Sequence, residues 1–316
     1  MSLHSIAFNS GDPGDYFYHQ WPVQPGQKPK AWIHIMHGMA EYSARYQQLA
    51  EYLNQHGYLV SADDHRGHGA TGEANNNLFH LADNDGWNQI IDDQFQLIEH
   101  LAGQNDLPLV ILGHSMGSFM ATRFCQIYSD KGIRLEGRLK ALVLSGSNYA
   151  PAWSFRIAAS IANIERLRVG KSSASSLLEA LAFGAFNNGF KPARTDKDWI
   201  SSDEEVIDNY IQDPWCGAAI SSQFWYDFLK GLADLSTPQA MAKISPELPI
   251  YIFSGAMDPV GEQGEGVKKL AAVLKSAGVR DIDCKLYPEG RHEMLNETNR
   301  LEVYGDLLAW LDSRIG

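Results

Sequence analysis

The pentapeptide Gly113-His114-Ser115-Met116-Gly117 carries the strongest chemical signal in the chain, a serine with a glycine two positions to either side. It directly follows the apolar run 107–112 and directly precedes a helical pattern. A serine on so sharp a strand-to-helix turn is held in a strained backbone conformation, and the flanking small residues let the neighbouring backbone pass. Such a serine is poised to attack an acyl carbon. An alcohol is a weak nucleophile at neutral pH, so it needs a base within hydrogen-bond reach, usually an imidazole oriented by a carboxylate.

Chain order supplies the partners. Where an elbow of this kind presents a serine on an α/β sheet, the acid and then the histidine follow it. Ten of the eleven histidines lie at or before His114, and His292 alone lies after Ser115. His292 is therefore the predicted general base, in the loop beyond the apolar run 282–287. Asp258, in the loop after the run 249–254, is the predicted orienting acid. Asp234 and Asp283 also lie between serine and histidine, but the first falls in an insertion and the second inside a strand. A tetrahedral oxyanion needs backbone N–H donors already aimed at it. Met116, the residue after the nucleophile, is one predicted donor. Met39, in the loop His37-Gly38-Met39-Ala40-Glu41 after the run 30–36, is the other.

These residues need a scaffold that brings four loops to one rim. Short apolar runs rich in β-branched residues recur at 30–36, 58–62, 107–112, 140–145, 248–253 and 282–287, with helical patterns at 46–55, 87–102, 118–128, 267–277 and 301–311 between and after them. That alternation predicts an α/β fold, a mostly parallel sheet covered by helices on both faces. Segments 5–8 and 16–23 read as antiparallel edge strands. The rhythm breaks between about 147 and 245, too long a span for an ordinary connection. The expected organisation is a core of residues 1–147 and 246–316 with an inserted helical cap, or lid, over 148–245. Within it, Trp153, Ile157, Ile161, Ile164 and Leu167 fall at helical spacing, as do Phe224, Phe228 and Leu232. Packing of the cap on the core is the plainest role for such rows, with direct binding of an acyl chain the alternative for some of them.

Composition narrows the classes of function. At 316 residues, 44% hydrophobic and 20% charged, the chain can bury a sizeable core. Its formal net charge of −12 gives no general attraction to phosphate backbones, so nucleic acid is not an expected partner. Cys125, Cys216 and Cys284 are odd in number and far apart, which fits a reducing compartment and buried apolar roles. Residues 1–14 lack a basic segment followed by an apolar one, and no stretch has the length needed to cross a bilayer, so a cytoplasmic location is expected. His34, His37, Asp63, Asp64, His65 and His68 form a His/Asp-rich set that raises a metal hydrolase as a rival. No HExxH helix or HxHxDH run is present, however, and no metal or cofactor is expected. A cysteine nucleophile is disfavoured because no cysteine sits on an elbow.

Taken in order, the motifs resemble the α/β-hydrolases of the monoacylglycerol lipase and bacterial lysophospholipase type, which are similar to the serine aminopeptidases. The resemblance rests on His37-Gly38 with Glu41 and Arg45-Tyr46, on Asp64-His65-Arg66-Gly67-His68-Gly69, on the serine pentapeptide, on Ser254-Gly255 with Asp258-Pro259-Val260, and on Gly290-Arg291-His292-Glu293 with Asn296-Glu297. In the insertion, Phe190-Lys191-Pro192-Ala193-Arg194-Thr195 and Asp213-Pro214 look like the lysophospholipase branch. Two departures stand out. Ala40 and Tyr42 occupy the glycine and histidine places of an HGxGEH pattern, and Ala70-Thr71 replace the end of GHGxS. The resemblance implies a Ser115, Asp258 and His292 triad, an oxyanion hole from Met39 and Met116, and cleavage of monoacylglycerols, lysophospholipids or other carboxylic esters. A peptidase would need a site for a free amino terminus, for which no acidic cluster is assignable in the cap. A non-catalytic ligand-binding relative is disfavoured because all three triad positions are filled. Cap apolarity is also compatible with transient membrane-surface contact.

Overall fold

The apolar runs become strands because alternate residues serve two separate buried faces. The computed structural model describes residues 2–8, 14–128 and 137–315. Its sheet is built from β1 (Ser2–Phe8), β2 (Gly14–Trp21), β3 (Ala31–Met36), β4 (Tyr58–Asp63), β5 (Leu109–His114), β6 (Leu139–Ser145), β7 (Ile250–Gly255) and β8 (Ile282–Tyr287). In β5, Leu109 and Ile111 enter one core while Val110 and Leu112 enter the other, and β6 and β7 divide in the same way. Side-chain alternation across a sheet buried on both faces explains why the runs read as continuously apolar.

The strand order is β1-β2-β4-β3-β5-β6-β7-β8. From β4 to β8 neighbouring strands are parallel. β2 runs antiparallel to both β1 and β4, which places the two expected edge strands at one side of the sheet. β2 stops at Trp21, ahead of Pro22, which has no N–H to add to the ladder.

Helices α1 (Gln47–Gln55), α2 (Gly69–Ala74), α3 (Gly86–Ala102) and α4 (Met116–Tyr128) precede β6. Between β6 and β7 lie α5 (Ala152–Val169), α6 (Ser176–Phe183), α7 (Glu204–Gln212), α8 (Ser222–Leu235) and α9 (Pro238–Met241), and α10 (Glu265–Ser276) and α11 (Arg300–Ile315) follow. Leu49, Leu53, Val303 and Leu307 seat α1 and α11 on one face. Ile90, Leu97, Phe124, Val267 and Leu270 seat α3, α4 and α10 on the other. Four helices between β6 and β7 start at side-chain caps, from Ser175, Asp203, Ser221 and Thr237.

The two apolar rows of the insertion behave differently. Phe224, Phe228 and Leu232 of α8 are buried, as core packing requires. On α5 the expectation fails: Trp153, Ile157, Ile161, Ile164 and Leu167 are exposed, at 64, 56, 41, 68 and 76%. That helix instead buries Ala159, Ala162 and Glu165. Small residues let α5 lie close, and the Glu165 carboxylate is satisfied by Arg168 and Ser175. Cys125 and Cys216 are buried, but Cys284 on edge strand β8 is exposed, against the expectation of a buried role.

Candidate active site

Strand ends on one side of the sheet deliver every predicted residue. Gly38 and Met39 follow β3, Ser115 follows β5, Asp258 follows β7 and His292 follows β8. In parallel α/β sheets this is the rim where ligands bind. Ser115 has φ of +51°, a left-handed conformation that a non-glycine residue adopts at an energetic cost. The flanking glycines are sterically required. A Cβ at Gly113 would lie 2.3 Å from the Gly117 carbonyl oxygen, and one at Gly117 would lie 2.0 Å from that of Met36.

His292 Nε2 lies 2.9 Å from Ser115 Oγ, and His292 Nδ1 lies 3.0 Å from Asp258 Oδ2. That carboxylate also accepts from Ser254 Oγ at 2.8 Å, while Oδ1 accepts the Val260 N–H at 2.8 Å. Burial pushes the Asp258 carboxyl up, but the His292 charge and these bonds outweigh it and hold the group below the ordinary range. For His292, burial disfavours the charged ring, yet Asp258 more than compensates and its pKa rises above the usual histidine value. The competing acid Asp283 is engaged elsewhere, by Trp310 Nε1 and Arg314.

Met39 lines the same cavity as Ser115 and His292. Met116 opens α4, so its N–H has no intrahelical acceptor. Two bonds pin the loop that carries Met39. Gly38 N–H donates to Glu41 Oε1 at 2.5 Å, and His37 Nδ1 lies 2.7 Å from Gly38 O. The backbone N–H of His65 donates to His37 Nε2 at 3.0 Å, so the His37 proton must sit on Nδ1 and be donated to that carbonyl. The carbonyl belongs to the same planar peptide as the Met39 N–H, so His37 fixes the direction of that donor. Burial, with His65 and His68 adding to it, keeps the His37 ring neutral by holding its pKa well below normal.

Arg45 ties this loop to the histidine. It donates to Glu41 Oε2 at 2.7 Å and to both oxygens of Glu293, beside His292, at 2.8 and 2.7 Å. Glu41 and Glu293 are both buried. Sequence reading placed Glu41, Arg45 and Glu293 in family-like motifs without a role; the i,i+4 spacing of Glu41 and Arg45 was the available signal. Ala40, in a pattern's glycine place, has φ of +52° and carries the strain a glycine would relieve. Tyr42, in the histidine place, donates to Asp213 Oδ2 at 2.7 Å and so reaches the insertion.

The insertion also forms the outer wall. Trp199 O accepts the His292 N–H at 3.3 Å and Ile200 O accepts the Glu293 N–H at 2.8 Å. The Trp199 ring centroid lies 5.2 Å from that of His292. Phe183, Glu179 and Lys197 complete a cavity of about 70 Å³.

The His/Asp-rich set forms a hydrogen-bonded wall behind the loop that carries Met39. His37 and His65 stack at 3.7 Å, His65 Nδ1 lies 2.8 Å from Asp63 Oδ2, and Asp64 accepts from Ser43 and Ala70. Among the described residues, no group of three or more His, Cys, Asp or Glu is arranged to hold a metal ion. No described helix is long and apolar enough to cross a membrane.

Comparison with known proteins follows the same lines. The family described as serine aminopeptidase, S33, matches residues 27–299. The monoacylglycerol lipase of Mycolicibacterium smegmatis is 28% identical over 294 residues, covering 92% of this chain and 91% of that protein. Phospholipase YtpA of Bacillus subtilis is 24% identical over 292 residues, covering 91% of this chain and 97% of that protein. A thermostable carboxyl esterase from Bacillus coagulans, solved with glycerol, superposes with a TM-score of 0.88 at 27% identity, over 100% of both chains. The chain has the α/β-hydrolase fold and belongs to the serine aminopeptidase, S33, family as an ester hydrolase of the monoacylglycerol lipase and lysophospholipase type.

Proposed function

We propose that this enzyme cleaves monoacylglycerols or lysophospholipids through Ser115, His292 and Asp258. The observation that carries the reading is the continuous 2.9 and 3.0 Å path from Ser115 Oγ through His292 to Asp258. With Nδ1–H donated to Asp258, His292 Nε2 is free to take the Ser115 proton as Oγ attacks the ester carbonyl. The N–H groups of Met39 and Met116 stabilise the oxyanion. His292 then gives its proton to the leaving alcohol, and water activated by the same histidine releases the fatty acid and restores Ser115.

The insertion acts as a cap over this centre. A cavity of about 70 Å³ is smaller than the roughly 150 Å³ that accommodates one benzene ring. The cavity as it stands does not enclose a long acyl chain, so a shift of the cap would let one lie beneath it. The exposed row Trp153, Ile157, Ile161, Ile164 and Leu167, with Leu177 and Leu181 of α6, supports transient contact of the cap with a lipid surface. Glu179 favours a second reading, a peptidase that holds a free amino terminus, but the Lys197 charge acts on the same carboxyl and repels an ammonium.

Fatty-acid release from a monoacylglycerol and a lysophospholipid, and amine release from a peptide amide, each with Ser115→Ala as control, test the proposal. The reading requires ester turnover that disappears in the variant. Peptide turnover exceeding ester turnover would reverse it.

A further inference from the structure

Lys197 is the one lysine or arginine among the described residues lining the cavity that contains Ser115 and His292. Its backbone is held firmly. Lys197 N–H donates to Thr195 Oγ1 at 3.1 Å, Lys197 O accepts from Ile200 N–H at 2.9 Å, and Asp198 ties back to Arg194 and Thr195. Its ammonium is a different matter, because no described residue forms an ion pair or hydrogen bond with it. Three arginines of the insertion are engaged by its own side chains, Arg194 by Asp208, Arg168 by Glu165 and Arg166 by Gln223. The acid that feels Lys197 is Glu179, whose Oε1 already accepts Trp225 Nε1 at 3.0 Å.

Position in the cavity says which part of a substrate Lys197 meets. His292 must protonate the leaving alcohol, so the alcohol portion lies on the histidine side. Trp199, two residues from Lys197, packs against His292 and accepts its N–H. The wall carrying Lys197 therefore faces the alcohol portion. A half-buried ammonium that feels the Glu179 charge but makes no ion pair or hydrogen bond with a described residue, in a chain of net charge −12, is open to an anion, and it presents three donors to a tetrahedral oxyanion.

We propose that Lys197 binds the phosphate of a lysophospholipid headgroup and sets a preference for phosphorylated glycerol esters over neutral ones. The proposal rests on the ester-hydrolase reading above and names the substrate class for the same site. A charge-assisted bond in a partly dry pocket changes kcat/KM on the order of 10- to 100-fold.

The test uses substrates sharing one medium-length acyl chain, below their aggregation concentrations: a monoacylglycerol, a lysophosphatidylcholine and a lysophosphatidylglycerol. The wild type should show higher kcat/KM on both phosphorylated esters. In Lys197→Met the ratio of phosphorylated to neutral kcat/KM should fall by roughly 10- to 100-fold, while Lys197→Arg should restore most of it. The wild-type preference should also shrink as salt rises. An unchanged ratio in Lys197→Met, with Ser115 still labelled by a fluorophosphonate, overturns the anion site and leaves the ester-hydrolase reading standing. Wild-type failure on every ester, with Ser115 unlabelled, overturns both.

Discussion

Replacing Arg45 with methionine removes the cation shared by two buried carboxylates while keeping much of the side chain's volume. Glu41 is 3% and Glu293 5% exposed, so water cannot substitute for the guanidinium. Burial pushes the Glu293 carboxyl up, but Arg45 overcomes this and holds its pKa at about 2. Because that value lies below the ordinary glutamate range, the ionised Glu293 carboxylate stabilises the fold at neutral pH. Because the folded value is the lower one, this stability is complete above the unfolded pKa and is lost as pH falls toward about 2. Glu41 receives one bond from Arg45 where Glu293 receives two, and burial keeps the Glu41 carboxyl above its normal value. Without Arg45, two like charges are left buried and close together. The expected loss near pH 7 is roughly 3–5 kcal/mol, shrinking near pH 5 as the carboxyls take up protons. Urea unfolding of wild type and Arg45→Met at both pH values measures it. A loss below about 1 kcal/mol, the range of an exposed ion pair, or one that grows on acidification, would refute the reasoning.

Further outcomes follow from the same geometry. Since His292 must be neutral to act as base and Asp258 holds its pKa above the ordinary value, kcat/KM should rise with pH through a midpoint above about 6.5. In Asp258→Asn that midpoint should drop, because burial then dominates, with a rate loss on the order of 10⁴; an unmoved midpoint would count against the pair. His37→Ala should free the Gly38–Met39 peptide, lowering kcat and the affinity for a boronic acid analogue together by about 10- to 100-fold with KM little changed. A fall in KM affinity alone would contradict that. Gly117→Ala places a Cβ 2.0 Å from the Met36 carbonyl oxygen, so turnover should be lost while circular dichroism shows a folded protein, and retained turnover would show that the elbow tolerates a side chain.

The scaffold and the residues proposed to react are legible in the sequence for a specific reason. Residues placed by short-range rules, such as Ser115 between a strand and a helix, carry their context beside them in the chain. His292 was legible through elimination, since no other histidine follows the serine. What remained hidden depends on contacts distant in sequence. The Arg45 bond to Glu293 spans 248 positions, and Lys197 reaches the cavity only through the fold of the insertion. The α5 row misled because periodicity reports an apolar stripe and not what the stripe faces. Helix α2, at six residues, was too short to show a period. Cys284 lies outside the core because β8 closes the sheet as an edge strand.

The central claim is that Ser115 is a nucleophile activated by His292. Intact-mass analysis after treatment with a fluorophosphonate, followed by peptide mapping, tests it most directly. The account predicts one adduct per chain, located on Ser115, absent in Ser115→Ala and formed far more slowly in His292→Ala. An adduct on another residue, or a rate unaffected by loss of His292, would contradict it.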